Sequence, residues 1–147
     1  MPVLHLVLGV LVAVLFLLAA ALGAWRWWRV EPSPLFWRLL RGAQAVLLVE
    51  VVVGGVLLAL GHSSPGELHL VYGLLPVLVS FMAEQLRISS ADAVLAARGH
   101  ESAQAVGALP ATEQQSVALA IVRREIGVMT LGAVTILALL VRASITS

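Results

Sequence analysis

Four apolar stretches, each near the roughly 20 residues needed to cross the hydrocarbon core of a bilayer, alternate with short breaks rich in Arg, Pro, Gly and Ser. That alternation leaves little choice of fold. In lipid every backbone N–H and C=O has to be satisfied inside the protein, so stretches of this kind cross as helices. The expected spans are residues 3–25, 36–60, 67–86 and 117–142, in a single domain covering 1–147. The fold class is therefore all-α, an integral membrane up-down bundle of four transmembrane helices. A mean hydropathy of +1.02 with only 12% charged residues excludes an ordinary soluble domain.

Local chemistry marks the ends of these spans. Val3–Ala24 is longer than a signal-peptide core and has no basic residue before it, while Trp25, Arg26, Trp27, Trp28 and Arg29 follow as an aromatic and cationic interface anchor. It reads as a retained first span. Ser33-Pro34 opens the second helix, with proline at a tolerated first-turn position. The run His62-Ser63-Ser64-Pro65-Gly66 is turn chemistry that forces a hairpin. Ser89–Arg98 reads as a short helix stopped by Gly99, and Thr112-x-x-Gln115 has the form of a capping box opening the last helix.

Orientation follows from arginine, the only basic residue type besides histidine. Arg26, Arg29, Arg38, Arg41, Arg87, Arg98, Arg123 and Arg124 flank the first and third loops, and Arg142 alone lies opposite. The positive-inside rule places loops 26–38 and 87–117 in the cytoplasm and both termini outside a cell membrane crossed several times. No Cys is present, which rules out disulfides, zinc–thiolate sites, iron–sulfur clusters and thiol catalysis. A net charge of +1 gives no reason to expect nucleic acid, and no hydrolase, transferase or phosphate-loop motif occurs. Whether the chain is an enzyme stays open, with a redox role as the candidate.

One span carries a polar stripe. His69, Tyr72, Gly73, Pro76, Ser80 and Glu84 follow at offsets of three or four on one helix face. Lipid rewards no such stripe, so it is expected to face other helices, a cofactor or water, with Leu70 and Val77 turned toward lipid. Spans 1 and 3 both start at the outer face, which puts His5 and His69 at similar depth on helices that sit diagonally in an up-down bundle. Helix axes about 8–10 Å apart leave a diagonal suited to a metalloporphyrin between two imidazoles. Gly9 and Gly73 follow the two histidines by four residues and leave room for a flat ring. The alternative is that both histidines are interfacial polar residues and the glycines ordinary membrane-helix residues.

Glu50 sits near mid-membrane, where an ionised side chain is costly. It reads either as a helix–helix hydrogen bond, to Ser80 or Thr130, or as a proton relay or quinone contact; Gln44 and Ser80 complete the buried polar set. Tyr72 is either an interface anchor or a donor to a propionate or quinone. His62, Glu67, His69 and His5 could instead build an outer-face zinc or copper site, and His100 is a solvated loop residue.

The order Leu4-His5-Leu6-Val7-Leu8-Gly9, an arginine-flanked loop, Leu40-Arg41-Gly42-Ala43-Gln44, Gly54-Gly55, a Pro-containing turn and Leu68-His69 resembles one half of heme A synthase, over about residues 3–80. In that family each half is a four-helix bundle with two axial histidines near the outer face, and the matching positions are His5 and His69. The bundle is present once rather than twice, Leu4 and Leu6 replace the family's Glu and Arg beside the first histidine, and its outer cysteine pair is missing. The resemblance thus implies b-type heme binding in electron transfer or heme handling, and not heme A synthesis. The expected partners are the lipid bilayer, quinone or other membrane redox proteins, and a second copy of the chain. The rival reading is a cofactor-free accessory subunit of a membrane complex, whose small-residue faces (Gly9, Ala13, Gly54, Gly55, Gly127, Gly132) pack against partners.

Overall fold

The structure is a computed structural model that describes residues 2–62 and 66–145. It holds six helices in the order α1 (Pro2–Arg29), α2 (Pro34–Ala59), α3 (Glu67–Ile88), α4 (Ser90–Ala97), α5 (Ala103–Gly107) and α6 (Ala111–Ile145). Four of them, α1, α2, α3 and α6, are long and apolar enough to cross a membrane. The chain is an all-α bundle of these four. The turn expected at Ser63, Ser64 and Pro65 lies outside the described residues.

Apolar seams at helical spacing hold the bundle together. Val12, Phe16, Ala19 and Ala20 of α1 meet Phe36, Leu40, Ala43 and Leu47 of α2, and Ile126, Met129, Ala133 and Ile136 of α6. Each set recurs every three or four residues, the period of one helix face. α1 packs on α2 and α6, α3 packs on α6, and α2 touches α3 more sparsely. The order around the bundle is therefore α1, α2, α3, α6, with α1 and α3 diagonal. Half of the most apolar window of α6 is buried, against 11% of that of α3, so α6 is the central helix and α3 the most peripheral.

Glycine sets the closest approaches. A Cβ on Gly127 would lie 2.8 Å from the Trp27 indole, and one on Gly132 would lie 2.9 Å from the Ala83 Cβ. Gly23 lies flush against Thr130 and Phe36. The small residues expected to dock a partner are thus largely used inside the bundle: Gly9 meets Glu50, Gly54 meets His5, and only Gly55 of the glycines in that set is open.

Three helices end in the same way. After α1, Glu31 N–H bonds Arg26 C=O and Val30 N–H bonds Trp27 C=O; after α2, His62 bonds Leu57 and Gly61 bonds Leu58; after α4, His100 bonds Leu95 and Gly99 bonds Ala96. This paired 6→1 and 5→2 pattern needs a left-handed residue, usually glycine. Gly61 (φ +81) and Gly99 (φ +73) supply it, but at α1 the position is taken by Val30 (φ 52), where a β-branched side chain is strained.

Two local expectations are corrected. α2 opens at Ser33-Pro34 as the sequence indicated, and the structure adds that Ser33 caps it, its Oγ accepting from Phe36 N–H at 3.2 Å. α6, however, does not start on a Thr112 capping box. It starts at Ala111, with the Pro110 carbonyl accepting from Glu113 and Gln114 N–H, and the Gln114 amide donates back to the Gly107 and Leu109 carbonyls. The Pro110 carbonyl supplies the first acceptor and leaves Thr112 inside the first turn. Val77, expected toward lipid, is half-buried against the core. The outward face of α3 is instead Val71, Leu74, Leu78, Phe81 and Met82.

Candidate functional site

The starts of α1 and α3 and the ends of α2 and α6 converge at one end of the bundle. There the rings of His5 and His69 lie 6.2 Å apart, centroid to centroid, with planes at 75°. His69 Nδ1 is 3.2 Å from the Ala143 carbonyl of α6. A carbonyl can only accept, so Nδ1 carries the proton and the Nε2 lone pair stays available. The His5 ring turns its Cε1 edge toward α2, where a Cβ on Gly54 would stand 3.3 Å away. His5 Nδ1 is buried with no hydrogen-bond partner.

Around this pair the remaining site residues divide. Tyr72 is one turn further along α3 than His69, and the Arg142 guanidinium sits 5.9 Å from its ring centre, within cation–π range. Gly73 faces open space, whereas the place below His5 at Gly9 is filled by a carboxylate: the Glu50 Oε1 would lie 2.9 Å from a Cβ there. Glu50 is thus one turn from His5, closer than its sequence position suggested. It bonds neither Ser80 nor Thr130. Ser80 Oγ accepts from Gln44 at 3.0 Å, and the Thr130 hydroxyl is buried without a partner beside Gly23. The register of α2 on α1, which sets Gly54 against His5 and Glu50 against Gly9, holds Glu50 near the histidine end.

Gln44 and Ser80 belong to a second cluster at the opposite end. Glu84 accepts from Arg41, from Gln44 at 3.0 Å and from Arg87 at 2.9 Å. The Arg87 guanidinium also lies 5.6 Å from the Trp37 ring centre. His69, Pro76, Ser80 and Glu84 of the stripe on α3 meet other helices, with Pro76 fully buried, while Gly73 faces open space, and the polar groups fall into two clusters at its two ends. His62 and Glu67 do not join His5 and His69. No three His, Asp or Glu side chains gather among the described residues, so the four-ligand zinc or copper arrangement does not assemble.

Sequence reasoning missed the Ala143 carbonyl, Arg142, the Gly54 contact and Arg41. Arg41 and Arg142 were visible as charges at the span ends, but their partners depend on helix rotation. The chain matches no known family model, no curated protein and no solved structure.

Proposed function

We propose that the protein is a membrane bundle that binds one b-type heme between His5 and His69 and works in electron transfer or heme handling. The observation that carries the reading is the 6.2 Å separation of the two rings, with His69 held by Ala143. Two metal–nitrogen bonds of about 2 Å each, plus half of each ring, come to about the same length. A metal-ligating histidine ordinarily donates its other N–H to a carbonyl or carboxylate, as His69 does. His5 offers a buried nitrogen with nothing to bond, which a bound centre would satisfy. Gly73 leaves side-chain space for a flat ring on α3, and Gly54 lets the His5 ring lie against α2. Glu50 fills the space at Gly9 and would have to swing aside or serve as an acidic neighbour.

Heme would supply one-electron chemistry. The chain's own share is to fix the two imidazoles, to exclude water with α2 and α6, and to offer Tyr72 and Arg142 as donors to carboxylates at the rim. The arginine-rich end faces the cytoplasm in this reading, both termini lie outside, and quinone or a membrane redox protein is the electron partner. The accessory-subunit reading loses support because Gly9, Gly54, Gly127 and Gly132 are consumed inside the fold.

The test is the reduced-minus-oxidised visible spectrum of detergent-purified protein made with ample heme. A low-spin Soret and α-band pattern is expected, lost in His5→Ala and in His69→Ala and kept in His62→Ala and His100→Ala. Absence of a Soret band from the unaltered chain, or heme retained by both histidine variants, overturns the reading.

A further inference from the structure

At the other end of the molecule, far from the histidine pair, a cleft of about 530 Å³ opens between the end of α1, the end of α4 and the first turns of α6. Its polar wall is Arg98, Arg123, Thr112, Gln115 and Ser116, and no carboxylate lines it. Arg98 donates to Ser116 Oγ at 2.9 Å. Neither Arg98 nor Arg123 forms an ion pair among the described residues, unlike Arg26, Arg29, Arg41 and Arg87. Thr112, Ser116 and Arg123 are four and seven residues apart, which puts them along one face of α6. The amino terminus of this 35-residue helix adds the positive end of its dipole.

Val30 is part of the same wall. It takes the left-handed position that the ends of α2 and α4 give to glycine. Strain of this kind, held by surrounding structure, is found disproportionately at ligand sites, and here it places an aliphatic side chain where glycine would leave none.

We propose that this cleft binds a phosphate-bearing small molecule. Arg98 from the end of α4 faces Arg123, Ser116, Gln115 and Thr112 along the α6 wall, and Arg matches phosphate geometry bidentately. The cleft is open on one side and wider than a bare phosphate. Position favours a water-borne ligand over a lipid headgroup. With the interface taken at Trp27 against Gly127, Arg123 is about 6 Å outward along α6, level with the headgroups, whereas Ser116 to Thr112 lie about 16–22 Å outward, beyond a headgroup layer about 5–8 Å deep. The inference does not rest on heme binding.

The experiment is calorimetric titration of the full chain, in phosphatidylcholine nanodiscs at low salt, with pyrophosphate as the probe. Saturable one-to-one binding is expected, weakened about tenfold or more in Arg98→Gln and in Arg123→Gln, as loss of a charge-assisted hydrogen bond implies, and unchanged in Arg124→Gln, whose charge lies outside the cleft. Arg98→Lys and Arg123→Lys, which keep the charge, stand in should a Gln variant fail to fold. If pyrophosphate does not bind but phosphatidylglycerol co-purifies and is lost in the same two variants, the phosphate comes from a headgroup and the site stands. Binding of neither probe, or equal weakening by Arg124→Gln, overturns the proposal.

Discussion

Two residues show how much depends on one side chain's surroundings. His5 and His69 are the same residue type at the same end of the bundle, yet one is oriented by a backbone carbonyl and the other keeps a buried nitrogen without a partner. In the proposed heme site their roles would be unequal, His69 being the pre-set member and His5 the adjustable one. Val30 is the other case. Left-handed backbone costs a β-branched residue about 1–2 kcal/mol, and glycine returns about 0.5–1 kcal/mol of that as unfolded-chain entropy. Val30→Gly should therefore raise stability by about 0.5–1 kcal/mol, read as an upward shift of the thermal unfolding midpoint in detergent. A fall in the midpoint would mean that the valine side chain contributes more by packing than its backbone costs.

Among the elements, α3 is held differently from the others. α1, α2 and α6 share a continuous apolar seam, to which α3 contributes only Ala83 as a buried hydrophobic residue, beside the buried Pro76. Its attachment rests on close approach to α6 at Gly132, on half-buried Val77 and Val79 against the seam, and on hydrogen bonds at both ends. The Glu84 hub is the main polar tie between α2 and α3, and its carboxylate is 19% exposed against 49% for Arg41. Exposed ion pairs contribute little, but removing a carboxylate sheltered by three donors takes the acceptor from Arg87 and leaves Arg41 and Gln44 only their bonds to Gln44 and Ser80. Glu84→Ala should cost about 1–3 kcal/mol and loosen α3 from α2. The check is faster amide exchange in residues 80–88 together with a lower unfolding midpoint. Glu84→Gln, which keeps one acceptor, should cost less.

At the scale of the whole molecule the two ends differ in kind. One gathers the histidines with Tyr72 and Arg142, and the other carries eight of the nine arginines, the Glu84 hub and the Arg98–Arg123 cleft. Such asymmetry orients a bundle in the membrane. A reporter joined after Ser147 should be active outside the cytoplasm and one inserted at Gly107 active inside. The reverse pattern would place the histidine pair at the cytoplasmic face and the arginine cleft outside, away from cytoplasmic phosphate compounds.

The sequence by itself determined the number of membrane helices, their ends within a few residues, and that His5 and His69 share one end. Those features follow from backbone hydrogen bonding in lipid, from hydropathy and from counting spans. It also showed that the stripe from His69 to Glu84 has one face, because polar groups at a helical period stand out against apolar neighbours. Only the tertiary structure decided which face of each helix meets which neighbour. In a soluble bundle the apolar stripe marks the core, but here lipid and core are both apolar, so Val77 and Leu74 look alike in sequence although one packs inward and the other outward. The same ambiguity hid the contact of Glu50 with Gly9 and the pairing of Gly54 with His5, which depend on how far α2 slides along α1. Arg98 and Arg123 are 25 residues apart in the chain and become neighbours only because α4 folds back onto the first turns of α6 through Val94, Leu95 and Val117, a long-range packing that no local pattern encodes.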